Sequence, residues 1–556
     1  MKIRTIKTIP LFLILGLFAC KQTHEEEPKT QIPAWIPYDE SAEIAENTDH
    51  ESQRMQYKLI QSKVTDRNDI WKNVADQIAY FSEEDYERLK PFILEQDILS
   101  IQSHIKSGKL SYETLTQWYL YRIVKYENDS TTFLNAIIAI NPNAVQEARN
   151  RDENKSENDH PFYGMPILVK DNINFAGLPT TAGSVALQKN ITKDAFIVEK
   201  IKENGGIILG KVNLSEWANF LSIINPNGYS AMGGQTLNPY GRRKYDTGGS
   251  SSASGVAMAA NYAAAAIGTE TSGSILSPSS SNSIVGLKPT VGLFSRAGIV
   301  PISSTLDTPG PMTRNVTDNA ILASAMSGED PADVATKDNP KNIRYWEELQ
   351  SESLEGVRFG VNKSFLSDSV YGITVDKIKA AGGVMIEFEP ENMDFEGFAT
   401  LLSADMKIDL PDYLSKYASK EISFKTVDDV VVFNNADSLV RIPYGQGRLD
   451  GILETNLSGE EHEKLKESLN ARGIDFFEKP MKKYDLDVVL SINNWNAGNA
   501  AAAKYPCLTV PMGYNENGAP IGLTFIARPF EEGELLKLGY AFEQLTKSRK
   551  LPKGYK

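Results

Sequence analysis

Residues 246–290 read DTGGSSSASGVAMAANYAAAAIGTETSGSILSPSSSNSIVGLKPT, two Gly/Ser-rich turns enclosing a run of small residues. Gly/Ser clusters usually mark flexible linkers. A linker has no use for a buried-looking segment such as AMAANYAAAAIG, nor for running straight into IVGLKP, the pattern of a buried strand ended by Pro289. Small residues permit close backbone approach and unusual dihedrals, the conditions under which several N–H groups converge on one anion. The stretch therefore reads as a site, two turns around a small-residue helix, rather than as a tether.

Around it, short apolar runs alternate with helical patterns. Residues 134–140, 167–169 and 207–209 read as strands, 143–150 and 196–203 as helices. The theme repeats in VRFGV, VMIEFE, DVVLSI, LTVPMG and IGLTFIA, before a helix that carries Leu535, Leu538, Phe542 and Leu545 on one face. Such alternation implies an α/β fold around a mixed, mostly parallel sheet covered by helices. Residues 69–126 are helical in pattern, with Ser111 as an N-cap ahead of Leu115, Trp118 and Tyr119, and are expected to pack outside the core.

At the N-terminus, Lys2, Arg4 and Lys7 precede an apolar run too short to span a bilayer, and Leu17-Phe18-Ala19-Cys20 looks like a lipobox. The expectation is a lipoprotein signal peptide over 1–19, lipidation at Cys20 and an acidic tether over 20–60, which would place the chain in the periplasm or outer membrane, or on the cell surface. An uncleaved anchor is the alternative. The formal net charge of −14 argues against a nucleic-acid partner, which needs clustered Lys and Arg. With Cys20 lipidated, Cys507 is left without a disulfide partner, and no metal site is expected. The five histidines are scattered and none lies in a Ser-rich block, which disfavours a His-based triad.

Gly249-Ser250-Ser251, Ser274 within GTETSGS, the following GLKPT, and Lys170 within GMPILVKDNI together resemble the amidase signature family. The blocks LGKVNLSEWANF, GGQTLNPY, SRAGIVPIS, DTPGPMTRNVTDNA and YPCLTVPMG extend the resemblance, in order, over roughly residues 93–550. GTETSGSI without a following arginine, and GGQTLNPY, look most like the family's bacterial peptide amidase branch. The resemblance implies one amidase domain over 61–556. It is strongest over 93–330 and 485–550, with 331–484 a variable cap.

It also implies the chemistry. Amide hydrolysis needs a nucleophile, a base, an acid for the leaving nitrogen and donors for the oxyanion. The family supplies these through a Ser-cisSer-Lys triad without a cofactor, and the positions that match are Ser274 as nucleophile, Ser250 as bridge and Lys170 as base. A lysine serves as a base only if burial lowers its pKa from about 10.4; taken alone, Lys170 also reads as a surface lysine closing a strand. The N–H groups of Thr271, Ser272, Gly273 and Ser274 match the family's oxyanion hole. Gly249 and Ser251 would support the bridge, although Ser251 reads equally as the N-cap of the helix that follows.

Two departures stand out. Ser272 replaces the first glycine of the family's usual pair before the nucleophile, and Ala253 stands where glycine is common; Ser272 can still serve if its backbone needs no positive φ. The segment SINNWNAGNAAAAKYP is short for the family, and Trp495 within it reads either as a substrate platform or as a buried aromatic. The expected function is a lipid-anchored serine amidase that releases ammonia from a peptide amide or other small amide. A glutamine amidotransferase-type subunit and a catalytically silent amide-binding lipoprotein are the alternatives.

Overall fold

The computed structural model describes residues 30–341, 343–349 and 353–556; the expected signal peptide and Cys20 lie outside the described residues. Thirteen strands are formed among them: β1 (Ile137–Ile140), β2 (Pro166–Lys170), β3 (Ile207–Val212), β4 (Tyr229–Ser230), β5 (Gly234–Gln235), β6 (Ala265–Glu270), β7 (Val285–Lys288), β8 (Thr308–Thr313), β9 (Arg358–Asn362), β10 (Val384–Phe388), β11 (Val488–Ile492), β12 (Cys507–Tyr514) and β13 (Pro520–Ile526). Eleven join one sheet in the order β1-β3-β2-β6-β8-β7-β12-β13-β11-β9-β10, and β4 pairs with β5. The sheet is mixed: β3, β2 and β6 are parallel on one flank and β11, β9 and β10 on the other, with antiparallel pairing between them. Every residue of β2, β3, β6 and β13 is buried, which is why these strands read as continuous apolar runs.

The small-residue stretch is half helix and half strand, not the single helix expected. The helix Ser252–Ala259 is buried along its whole length, Asn261 turns the chain at φ 58°, and β6 follows. Close approach explains the small residues: a Cβ on Gly255 would lie 2.8 Å from the carbonyl oxygen of Pro278, which belongs to the helix Leu276–Ser281. The two turns that looked separate in sequence are thereby packed side by side.

Two expectations about the N-terminal third are corrected. Residues 30–60 are not a free tether. Trp35, Met55, Tyr57, Leu59 and Ile60 are buried, the Glu40 carboxylate accepts from the N–H groups of Ile60 at 3.0 Å and Gln61 at 2.8 Å, and the Trp35 ring lies 4.9 Å from the Arg67 guanidinium. Scattered apolar residues in a polar stretch are enough to dock it. The helix Tyr112–Glu127, capped by Ser111 as expected, belongs to the core rather than covering it, with Leu115, Trp118 and Tyr119 fully buried.

The region 331–484 contributes β9 and β10 to the main sheet. Its helices Phe398–Lys416, Val427–Asn435, Gly447–Glu454 and Gly459–Tyr484 share an apolar cluster with Trp217, Phe220, Ile302 and Leu306 of the core. No helix among the described residues is long and apolar enough to cross a membrane.

Candidate active site

Lys170 closes β2 with its whole side chain buried, and its Nζ lies 2.8 Å from the Ser250 hydroxyl, 2.9 Å from Thr269 Oγ1 and 3.1 Å from the Thr269 carbonyl oxygen. Burial depresses its pKa to about 7, against the opposing pull of the Asp307 and Glu270 carboxylates. The surface-lysine reading is thus excluded. Lys211, on β3, is also buried and depressed by burial, to about 8, but it is bonded to Thr180 Oγ1 at 2.9 Å and paired with Asp171 at 3.4 Å. Lys170 has no carboxylate within salt-bridge distance among the described residues, whereas Lys211 is held in a buried ion pair.

The Gly249–Ser250 peptide bond is cis. A Cβ on Gly249 would sit 2.7 Å from both Asn227 Oδ1 and Ser215 Oγ, so glycine is required by space alone. Ser251 occupies the N-cap position of the helix Ser252–Ala259 but its side chain caps nothing. Instead its hydroxyl donates to the Thr269 carbonyl at 3.0 Å and accepts from the Thr269 N–H at 3.1 Å, while its own N–H donates to the Ser274 carbonyl at 3.0 Å. Ser251 therefore ties the first turn both to β6 and to the second turn.

The second turn holds Ser274, which is 8% exposed at its residue surface. No hydrogen bond joins its hydroxyl to Ser250 among the described residues; backbone contact through Ser251 is what brings the two turns together. Beneath the turn lies Glu270, whose carboxylate accepts from the N–H groups of Gly273 at 2.7 Å, Ile275 at 2.6 Å and Leu276 at 3.0 Å. Burial pushes the Glu270 pKa up, and these three donors oppose that. Gly273 is accordingly removed from the expected oxyanion donors because its N–H is already committed, which leaves those of Thr271, Ser272 and Ser274. Its glycine is still needed, since its φ is +88° and a Cβ would lie 3.0 Å from Asn494 Nδ2. Ser272 and Ala253 are not among the positive-φ residues, so neither departure strains the backbone.

Four residues of this site were not singled out from the sequence: Thr269, Glu270, Asn172 and Asp307. Asn172 Nδ2 donates to Thr269 Oγ1 at 3.0 Å, and Asp307 accepts the Thr271 hydroxyl at 2.5 Å. All four lie in blocks already recognised, VKDN, GTETSGS and DTPGPM; the clue was polar residues flanking buried strand ends. Trp495 is 55% exposed and meets Phe365 edge-on at 5.1 Å, which removes the buried-aromatic reading. None of the histidines among the described residues hydrogen-bonds to Lys170, Ser250 or Ser274. Among the described residues there is no cluster of three or more His, Cys, Asp or Glu that could hold a metal.

A buried lysine beside one serine, with a second serine on the turn packed next to it, is an arrangement suited to nucleophilic hydrolysis. The chain belongs to the Amidase family, whose profile matches residues 114–442. A probable amidase of Arabidopsis thaliana is 34% identical over 479 residues, covering 83% of this chain and 92% of the relative. The crystal structure of an amidase family protein from Bacillus anthracis superposes with a TM-score of 0.85 at 37% identity, over 89% of this chain and 99% of that one. The peptide amidase from Stenotrophomonas maltophilia superposes with a TM-score of 0.78 at 36% identity, over 83% and 98% respectively.

Proposed function

We propose that this amidase hydrolyses a carboxamide on a peptide C-terminus or another small amide, by an acyl-enzyme route through Ser274, Ser250 and Lys170. The observation that carries the reading is the buried, unpaired Lys170, depressed to about 7 and 2.8 Å from the Ser250 hydroxyl. A neutral lysine accepts the Ser250 proton, Ser250 accepts the Ser274 proton, and Ser274 Oγ forms a bond to the substrate carbonyl carbon. In this reading the N–H groups of Thr271, Ser272 and Ser274 receive the oxyanion, which is supported by the lack of a backbone acceptor for any of the three among the described residues. Loss of one such donor costs on the order of 2.7–4 kcal/mol in comparable sites. On collapse the C–N bond breaks, the proton returns from Lys170 through Ser250 to the leaving nitrogen, ammonia departs, and water hydrolyses the ester. The mechanism requires the Ser274 and Ser250 hydroxyls to come into hydrogen-bond contact when substrate binds, as catalytic hydrogen bonds tighten in the complex.

The relatedness to a peptide amidase supports the substrate class. An acidic molecule of net charge −14 is poorly suited to the tRNA partner that a glutamine amidotransferase-type role requires. The proposal includes export and a lipid anchor at Cys20, supported by the basic start, short apolar run and cysteine of the first 20 residues.

The test is ammonia release from peptide amides, glutamine and aryl amides, with Ser274→Ala alongside. Turnover surviving in Ser274→Ala would remove the nucleophile assignment, and absence of turnover on every amide would favour a silent binding protein. A fluorophosphonate should label the wild-type chain and not Ser274→Ala. Fatty-acid labelling in cells should be lost in Cys20→Ala; retained labelling would rule out that attachment point.

A further inference from the structure

Two aspartates of the cap helix Phe398–Lys416, one turn apart, grip the loop that leads into β8. Asp405 Oδ2 accepts the Ser303 hydroxyl at 2.5 Å, and Asp409 Oδ2 accepts the Ser304 N–H at 2.6 Å. The other Asp405 oxygen is 2.7 Å from Nε2 of His462, in the first turn of the helix Gly459–Tyr484. On the far side of the loop, the N–H groups of Ile302 and Ser303 donate to Asp307 Oδ2 at 2.8 and 2.9 Å, and Asp307 Oδ1 receives the Thr271 hydroxyl. The path from the helix Gly459–Tyr484 to the turn before Ser274 is thus His462, Asp405, Ser303, Asp307, Thr271. His462, Asp405, Ser303 and Thr271 are buried and Asp307 is half-buried. The cap also comes near the same turn at Gly498, where an added Cβ would lie 2.9 Å from the ring of Phe395, just ahead of the Asp405 helix, and 3.8 Å from the Ser272 hydroxyl.

We propose that Ser303, Asp405 and His462 are positioning residues for the oxyanion donors, so that the cap fixes the rate of the chemical step rather than only covering the cleft. The inference rests on the Thr271 N–H being an oxyanion donor, as proposed above. None of the three residues contacts the reacting atoms; each acts through the next, and the last fixes the side chain of the residue whose N–H faces the developing charge. A buried carboxylate is costly unless its oxygens are matched by donors. Here one oxygen is spent on the loop and the other on the second cap helix, so a shift of either helix is passed to the loop. The competing reading is that Asp405 and His462 merely staple two helices, which predicts lower stability and unaltered chemistry at each folded site.

The experiment measures kcat and KM per active site titrated with a fluorophosphonate, in the full chain, for wild type, Ser303→Ala, His462→Gln and the double variant. Misplacing a donor by a fraction of an ångström to one ångström predicts a fall in kcat of about ten- to a hundredfold, with KM changed by less than about threefold. Because the two residues act along one path, the double variant should be little slower than the slower single one. A kcat per titrated site within twofold of wild type in both single variants would overturn the proposal, even if the thermal midpoint falls. His462→Gln, which keeps a side-chain donor of similar reach toward Asp405, keeps the test open if Ser303→Ala folds poorly. A wild-type chain that neither turns over an amide nor accepts the label would sink the amidase mechanism and this inference with it. Activity in wild type with no loss in the variants would sink this inference alone.

Discussion

At the scale of the residue, the proposed role of Lys170 as base predicts the working pH. Its pKa of about 7 in the folded chain means that the neutral, proton-accepting form grows as pH rises through 7. The acidic limb of kcat/KM should therefore rise through about pH 7 and level off above it, and a limb centred near pH 10 would show that the lysine is not depressed. The sign for stability follows from the same displacement. A lysine in the unfolded chain titrates near 10.4, so between about 7 and 10.4 the unfolded state binds more protons and stability gains with pH. The burial penalty is fully present below about 7 and fades as pH climbs. The thermal midpoint of Lys170→Met relative to wild type should be most favourable at pH 6–7 and lose that advantage toward pH 10.

Elements explain why the site was only partly legible. The strands at 167–169, 207–209 and 284–289 were readable because burial on both faces leaves continuous apolar runs, and the structure places them within a few residues, as β2, β3 and β7. The helix-to-strand switch at Asn261 was not, because alanine suits a buried strand as readily as a helix when both neighbours crowd the backbone. Gly255 measures that crowding. Gly255→Val should push the helix Ser252–Ala259 off the helix Leu276–Ser281 and cost about 1–3 kcal/mol as overpacking, read as a lower thermal midpoint together with reduced labelling of Ser274. The N-terminal strap makes a second prediction. A chain beginning at residue 30 should keep the wild-type thermal midpoint, whereas one beginning at 61 should lose several degrees or aggregate, because Trp35, Met55 and Ile60 leave the core. Equal stability of the two would restore the tether reading. The sequence understated this segment because its apolar residues are spaced without helical or strand period.

At the scale of the whole molecule, the positions proposed to carry the chemistry lie in contiguous motifs, while Asp307, Asp405 and His462 come together only through tertiary packing. Charge was legible in the sequence, and it bears on partners rather than on fold. The gap in the sequence reading is the relation of 331–484 to the rest. Sparse motif content suggested an appended cap, yet β9 pairs with β11 and β10 with β9 in continuous register.

That shared sheet limits how the cleft can admit a substrate. A cap that swung open as a lid would have to tear the β9–β11 ladder and expose Leu401, Met406 and Leu410 together with Trp217 and Phe220. Entry and product exit are left to local yielding at the rim, around Phe395 and the left-handed Gly397. Discrimination between amides is then a property of a rigid aperture, and selection for a new substrate would act on the few side chains at its lip before it touched the hinge-less body behind them.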